Sequence, residues 1–537
     1  MKRRNFVKST IAGGSALSMV GLSACTPSEK SSSKSSEVSV LLDFEFNEFT
    51  IDQFQQLMTE GKMSSVAICQ QYLDRIAALD HLLSSIIELN PEALEIAKQL
   101  DIERQKGKVR GPLHGIPIVI KDNIDTDDQM MTTAGSLALA GTSAPDDAFI
   151  VKKLRQAGAV LLGKTNLSEW ANIRSTKSSS GWSGRGGQVR NPFCLDRSSC
   201  GSSSGTGAAI SANLCAIGIG TETDGSIVCP SGINGIVGLK PTLGMWSRDG
   251  IIPISHSQDT AGPMCRTVKE AAILLGALAG SDTNDAETHL EEGTIYVDYT
   301  RFLDEDVLQG IRVGVVRNMF VSNTDVTALM EKAMADLKAV GAEVVDQLEL
   351  KSRSEWEEAE WTVLLTELKA DMAVYLQSRT DQSFRTLADL IQFNKEHAAQ
   401  EMPWFGQEIF EQAEQTKGLD DPEYLSALKT SKEKSRKEGI DQLMDEHQLD
   451  VLIAPTNGPS WPIDWVNGDN YTGGSSDAAA VSGYPSITVP MGFVKGLPIG
   501  ISFFGRAWSE PTLLKLAYAY EQKTKHRKSP GFKSTIG

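Results

Sequence analysis

The stretch from residue 200 to residue 230 is rich in glycine, serine and other small residues, and it constrains the fold more than any other part of the chain. It contains the turn Cys200-Gly-Ser-Ser-Ser-Gly-Thr-Gly207 and a second tight turn around Ser226. Each glycine loses much backbone freedom on folding and buries no side chain, so ordering this segment costs free energy. We therefore expect these turns to serve a purpose other than packing.

Short apolar runs alternate with helical patterns along most of the chain. Helices are predicted at 50–79, with a break at Gly61, at 147–156 and at 325–341. Strands are predicted at 113–120, 159–162, 217–220, 235–239, 311–316, 342–345, 451–454, 486–489 and 499–504. Strands that alternate with helices indicate a sheet covered on both faces. The predicted fold is an α/β/α sandwich around a large twisted mixed β-sheet.

Two further segments have distinct compositions. The interval 355–448 mixes acidic and basic residues on helical patterns, which predicts a solvated helical layer without a chemical role. The segment 461–474 contains two tryptophans and is predicted to be a loop, either a pocket wall or a plain surface loop.

The N-terminus differs from the rest of the chain. Arg3-Arg4 within a basic start resembles a twin-arginine export signal, and Leu22-Ser-Ala-Cys25 resembles a bacterial lipobox. We expect residues 1–24 to be an export signal, residues 25–42 a lipidated Cys25 with a flexible Ser-rich tether, and residues 43–537 the folded domain. The protein would then be a membrane-anchored lipoprotein facing the periplasm or cell exterior. The alternative is a basic, disordered tail.

Charge and cysteine spacing restrict the partners. The 537 residues carry a formal net charge of −17, which makes nucleic acid an unexpected partner. The six cysteines after Cys25 form no CxxC pair and no His/Cys metal spacing. No metal or cofactor is implied by the sequence. Most of these cysteines should be buried small hydrophobes, although Cys194 and Cys200 could form a disulfide. We expect a monomer whose membrane contact is limited to the lipid anchor.

One interpretation of the serine-rich turn is a nucleophile elbow. Gly201-Ser-Ser-Ser-Gly205 satisfies the G-x-S-x-G pattern of α/β-hydrolases, with Ser203 as nucleophile. That chemistry also needs a later histidine, and no downstream histidine has a suggestive setting. The downstream histidines are His256, His289, His397, His447 and His526. A phosphate-binding P-loop has less support than the nucleophile elbow, because no Lys-Ser or Lys-Thr follows the glycines.

Longer motifs favour a different interpretation. The run 200–242 contains Cys200-Gly-Ser-Ser-Ser-Gly205, Gly220-Thr-Glu-Thr-Asp-Gly-Ser-Ile227 and Gly235-Ile-Val-Gly-Leu-Lys-Pro-Thr242. These motifs resemble the amidase signature family, as do Gly115-Ile-Pro-Ile-Val-Ile-Lys-Asp-Asn123 and Leu162-Gly-Lys-Thr-Asn-Leu-Ser-Glu169. The resemblance covers nearly all of the chain after the tether and implies the amidase signature fold.

The resemblance also implies residue roles. Ser226 would be the nucleophile, Ser202 a relay held by a cis peptide, and Lys121 the base. A lysine accepts a proton only when neutral, so burial or a nearby cation must lower its pKa from about 10.4. The implied oxyanion hole consists of backbone N–H groups of residues 223–226, namely Thr223, Asp224, Gly225 and Ser226. Asp224 departs from the family pattern, and its carboxylate must turn away or be neutralised.

The implied reaction is hydrolysis of a carboxamide to a carboxylate and ammonia through an acyl-enzyme. The sequence around Ser226 resembles the bacterial peptide amidase branch of this family. That resemblance implies C-terminal amides of peptides as substrates. Small aliphatic or aryl amides remain open. A glutaminase-like subunit of a tRNA-dependent amidotransferase also remains open, although export argues against it. An alternative outside the enzymes is a lipid-anchored binding protein that has the same fold and no catalytic activity.

Overall fold

The computed structural model describes residues 44–289, 294–304 and 308–536. The predicted export signal at 1–24 and the tether at 25–42, with Cys25, lie outside these residues and stay predictions. Among the helices in the described ranges, none is long and apolar enough to cross a membrane.

Eleven strands form one mixed sheet. They are β1 Ile86–Leu89, β2 Pro117–Lys121, β3 Val160–Thr165, β4 Ile217–Glu222, β5 Val237–Lys240, β6 Thr260–Cys265, β7 Arg312–Val316, β8 Glu343–Leu348, β9 Val451–Pro455, β10 Ser486–Val494 and β11 Leu497–Phe504. Their order across the sheet is β1-β3-β2-β4-β6-β5-β10-β11-β9-β7-β8. Strands β3, β2 and β4 run parallel to one another, as do β9, β7 and β8, and the other neighbouring pairs are antiparallel.

Helices pack around this sheet. They are α1 Ile51–Thr59, α2 Ser65–Leu79, α3 Ala93–Gln105, α4 Phe149–Ala157, α5 Ser204–Ser211, α6 Val228–Ile233, α7 Val268–Leu278, α8 Thr324–Ala339, α9 Arg353–Ser378, α10 Leu387–Glu396, α11 Ala398–Glu401, α12 Glu408–Glu414, α13 Pro422–Ser435, α14 Asp441–His447, α15 Asp477–Ser482 and α16 Glu510–Thr524. Their ends follow local chemistry. Thr267 caps α7 through a hydroxyl bond to the Glu270 N–H, and Gly158 ends α4 in the left-handed conformation.

Both faces of the sheet are covered. Every residue of the central strands β2, β4, β6 and β5 is buried, which requires packed layers on both sides. The predicted α/β/α sandwich is confirmed, and each predicted strand overlaps an observed one. The sequence pattern missed β6, because Gly262 and Pro263 argue against a strand. It also missed the short strand β1.

We predict that Ile118→Ala destabilises the protein by about 2–5 kcal/mol, because its fully buried side chain lies in β2 between β3 and β4. Val374→Ala, at a residue that is 70% exposed on α9, should change stability by less than about 0.5 kcal/mol. Chemical denaturation of the two variants measures the difference. Equal losses would contradict the placement of β2 in the core.

Candidate active site

Two neighbouring parallel strands bring the first site residues together. Lys121 is the last residue of β2, and Thr221 lies near the end of β4. The register pairs Ile120 with Ile219, so the carboxyl ends of both strands meet at the same edge of the sheet. Ligands of α/β sheets typically bind at such an edge.

Lys121 is fully buried, and its amine is surrounded by oxygen atoms. Its Nζ lies 2.7 Å from Ser202 Oγ, 2.8 Å from Thr221 Oγ1 and 3.4 Å from the Thr221 carbonyl oxygen. Asn123 donates from Nδ2 to the same Thr221 hydroxyl at 3.0 Å. A neutral amine could donate two N–H bonds to Thr221 and direct its lone pair at the Ser202 hydroxyl.

The surroundings of Lys121 lower its pKa to about 7. The main cause is burial, which removes the hydration that a charged ammonium needs. The negative charges of Asp259 and Glu222 act in the opposite direction and keep the pKa from falling further. A substantial fraction of Lys121 is therefore neutral near pH 7.

The serine-rich turn precedes α5 and presents two serines differently. Ser202 follows a cis peptide bond and contacts Lys121. Ser203 instead donates its hydroxyl to the Thr221 carbonyl at 3.0 Å and accepts from the Thr221 N–H at 3.1 Å. His256, the first downstream histidine, contacts Asp371 of α9 at 2.9 Å. This arrangement does not support Ser203 as the nucleophile of a histidine-dependent hydrolase.

Ser226 lies in the turn between β4 and α6. Its side chain is 8% exposed and lines a cleft, and its carbonyl accepts the Ser203 N–H at 3.2 Å. Glu222 holds the turn from the other side by accepting the N–H groups of Ile227 at 2.7 Å and Val228 at 3.0 Å. It also interacts with the N–H of Gly225. The two serine-bearing turns therefore meet at the cleft.

A second acid anchors the same turn. Asp259 accepts the Thr223 hydroxyl at 2.5 Å and the N–H groups of Ile254 and Ser255 at 2.7 and 2.8 Å. Burial raises its pKa to about 6. Asp259, Glu222 and Thr221 were not singled out from the sequence as site residues, although Thr221 and Glu222 lie within the family-like motif at 220–227.

Asp224 does not turn away from the cleft. Its side chain is exposed at the cleft wall, and the Ser476 hydroxyl bonds to it. Surrounding protein still displaces much of its hydration, and together with the negative Asp477 this raises its pKa to about 7. Arg353, which could neutralise it, makes hydrogen bonds of 2.8 and 3.1 Å to Asp477. The raised pKa favours the neutral form of this carboxyl group.

The cleft has a volume of about 470 Å³, and its walls combine apolar and aromatic side chains with serine, threonine and aspartate side chains. Trp361 and Leu364 of α9 form part of its wall, so the helical layer at 355–448 contributes to the site, contrary to the sequence prediction. Trp461 and Tyr471 also line it, so the predicted loop at 461–474 is a pocket wall. This loop is held by a 2.9 Å bond from Trp461 to Asp469, which accepts the Ser180 N–H at 3.0 Å.

The cysteine pairing differs from the one considered from the sequence. Cys200 forms a disulfide with Cys229, whereas Cys194 is a buried free thiol that donates to Asp196 at 3.1 Å. Cys194 is close to Cys200 in sequence but lies in a strand that ends at Ser198, before the serine-rich turn. Proximity along the chain was therefore a poor guide to the pairing.

Known proteins resemble this chain over most of its length. The family model described as Amidase matches residues 67–514. A probable amidase of Arabidopsis thaliana is 39% identical and covers 93% of this chain and 94% of that protein. One of the subunits of the glutamyl-tRNA(Gln) amidotransferase of Carboxydothermus hydrogenoformans is 33% identical and covers 87% of this chain and 96% of its own length.

Solved structures agree with these relatives. The peptide amidase PAM in complex with the competitive inhibitor chymostatin is 52% identical, has a TM-score of 0.88 and covers 91% of this chain and 100% of its own. The native peptide amidase of Stenotrophomonas maltophilia is 51% identical with the same TM-score and covers 91% and 99%. The chain belongs to the amidase signature family, and it is an amidase.

Proposed function

We propose that Ser226 is the nucleophile of this amidase, Ser202 its proton relay and Lys121 its general base. The observation that carries the proposal is the 2.7 Å contact between a buried amine with a lowered pKa and the Ser202 hydroxyl. A serine hydroxyl is a weak nucleophile until a base takes its proton, and a neutral amine can do so. The main-chain bond between Ser203 and Ser226 keeps the relay beside the nucleophile.

The reaction divides into two steps. Ser226 Oγ attacks the amide carbonyl while its proton passes through Ser202 to Lys121, and the proton then returns to the leaving nitrogen, which departs as ammonia. Water repeats the sequence on the acyl-enzyme and releases the carboxylate. Backbone N–H groups of residues 223–226 stabilise the oxyanion, and each such donor typically contributes about 2.7–4 kcal/mol. Because Gly225 also interacts with Glu222, its N–H is the least available of the four.

The substrates are C-terminal amides of peptides. The resemblance to peptide amidases, with about half of the aligned residues identical, supports this class of substrate. The apolar and aromatic side chains in the cleft wall support it as well. Trp361 and Tyr471, which are 38% and 46% exposed, offer aromatic surface that acetamide or glutamine would leave uncovered. The likeness to an amidotransferase component keeps glutamine as the second candidate substrate.

The site would act outside the cytoplasm. The motifs at Arg3-Arg4 and at Cys25 support export and lipid anchoring. The catalytic domain would begin at residue 43 and act as a monomer. A catalytic domain that faces the periplasm or the cell exterior would meet peptides there, in agreement with the proposed substrates.

Substitution of the proposed nucleophile and base should abolish turnover without unfolding the protein. We expect Ser226→Ala and Lys121→Met each to lower kcat by at least about 10³-fold, because both groups act as one unit. Ammonia release from an amidated dipeptide measures turnover, and thermal unfolding checks the fold. Turnover near the native level in either variant would refute the assignment.

Ser203→Ala is the matched control for the neighbouring hydroxyl. It should keep kcat within about tenfold and lose about 1–3 kcal/mol of stability, because the hydroxyl makes two buried hydrogen bonds to the Thr221 backbone that alanine cannot make. Complete loss of activity in this folded variant would instead support a nucleophile elbow.

The pH dependence follows from Lys121. Raising the pH through about 7 removes its proton, so kcat/KM should rise about tenfold per unit below pH 7 and level off above about pH 8. Asp224 also has a pKa of about 7, so Asp224→Asn is the necessary comparison. If Lys121 is the base, the rise persists in that variant. A profile that becomes flat in Asp224→Asn would assign the titration to Asp224.

A substrate panel tests the acyl group. We expect kcat/KM for amidated dipeptides with apolar C-terminal residues to exceed that for acetamide and glutamine by about 10–100-fold, because one buried apolar side chain contributes about 1.5–3 kcal/mol. Ammonia release from each compound gives the comparison. Glutamine as the best substrate would favour a glutaminase, and equal rates for acetamide would favour an amidase of small amides.

A further inference from the structure

The Cys200–Cys229 disulfide joins the two turns that carry the serines. Cys200 precedes Ser202 by two residues, Cys229 follows Ser226 by three, and their Cα atoms are 6.2 Å apart. Both cysteines line the cleft and pack against Trp461. The cross-link therefore lies at the reacting end of the cleft.

Hydrogen bonds hold the two turns in place without using the sulfur atoms. The Ser202 carbonyl accepts the Ser168 N–H at 3.0 Å, and Gly205 donates its N–H to Asn166 at 2.9 Å. Asn234 bridges the segments by donating to the Ser199 carbonyl at 2.9 Å and the Pro230 carbonyl at 2.7 Å. Because these bonds do not involve the sulfur atoms, they can persist when the disulfide is broken.

Proton transfer between the two serines requires a more exact geometry than folding of the two turns does. A proton relay needs heavy-atom distances of about 2.6–3.2 Å at each step. A displacement of about 1 Å between reacting groups can cost about 10²-fold in rate. The main-chain bond from Ser203 to Ser226, at 3.2 Å, and the Asn234 bridge are non-covalent restraints between the two turns. A covalent link between the flanking cysteines restricts their relative movement much more strongly.

We propose that the Cys200–Cys229 disulfide is a positioning element for hydrolysis, so that turnover depends on the oxidised state of this cysteine pair. The inference rests on the proposed roles of Ser202 and Ser226. A dithiol reductant supplies two electrons and two protons, the S–S bond breaks to two thiols, and the reductant becomes its cyclic disulfide. The reduced protein stays folded, but the two serines lose their fixed spacing.

Reduction of the purified protein with dithiothreitol tests the proposal. We expect kcat for an amidated dipeptide to fall at least tenfold while KM changes less than threefold, and reoxidation to restore kcat. Labelling of Ser226 by a sulfonyl fluoride should slow in parallel, since it reports the same activated hydroxyl. Circular dichroism and a thiol count show that the reduced protein is folded and that two new thiols have formed.

Two variants separate positioning from stabilisation. The Cys200→Ser/Cys229→Ser double variant should have the low kcat of the reduced protein and no response to dithiothreitol. Cys194→Ser removes a buried free thiol and should keep both the native kcat and the response to the reductant. An unchanged kcat after reduction, with only a lower melting temperature, overturns the proposal.

The remaining outcomes are also decisive. Unfolding of the native protein on reduction at the assay temperature overturns the proposal, because the disulfide would then act on the fold alone. If the double variant fails to fold, reduction of the native protein decides. Failure of the oxidised native protein to hydrolyse amides and to be labelled at Ser226 would refute the proposed function itself.

Discussion

The burial of Lys121 is the constraint on which the site depends. Moving an ammonium out of water is costly, and the lysine responds by becoming neutral at a lower pH. The strand order makes this possible, because β2 and β4 lie side by side in the interior and end at the same edge. Thr221 and Ser202 then satisfy the amine with oxygen atoms at 2.8 and 2.7 Å. A buried amine held in this way can accept a proton without a histidine.

The small residues around this amine have a steric cause. A Cβ at position 205 would overlap the carbonyl oxygens of Asn166 and Ser85, and Gly225 has a φ of +75°. Larger side chains would push the serine-rich turn away from β3 and would strain the turn at Ser226. Ordering these glycines costs free energy. In return, they allow two backbone segments to approach closely at the cleft.

The sequence predicted the fold better than it predicted the surroundings of the site. Apolar runs and their alternation with helices are local properties, so β2, β4 and the sandwich could be predicted, whereas β6 could not because Pro263 obscures its pattern. The proposed roles of Lys121, Ser202 and Ser226 came from long motifs. The pairing of Cys200 with Cys229 and the contribution of α9 to the cleft depend on tertiary packing, which residue spacing does not contain.

Two acids that anchor the turn at Ser226 also act on the lysine. Glu222 accepts the N–H groups that follow Ser226, and Asp259 accepts the Thr223 hydroxyl. Both raise the pKa of Lys121, whereas burial lowers it, and the balance lies near 7. If burial acted alone, the amine would be a weaker base and would take the serine proton less readily. The same carboxylates thus shape the turn and keep the lysine basic enough to accept a proton, which couples the geometry of the cleft to its chemistry.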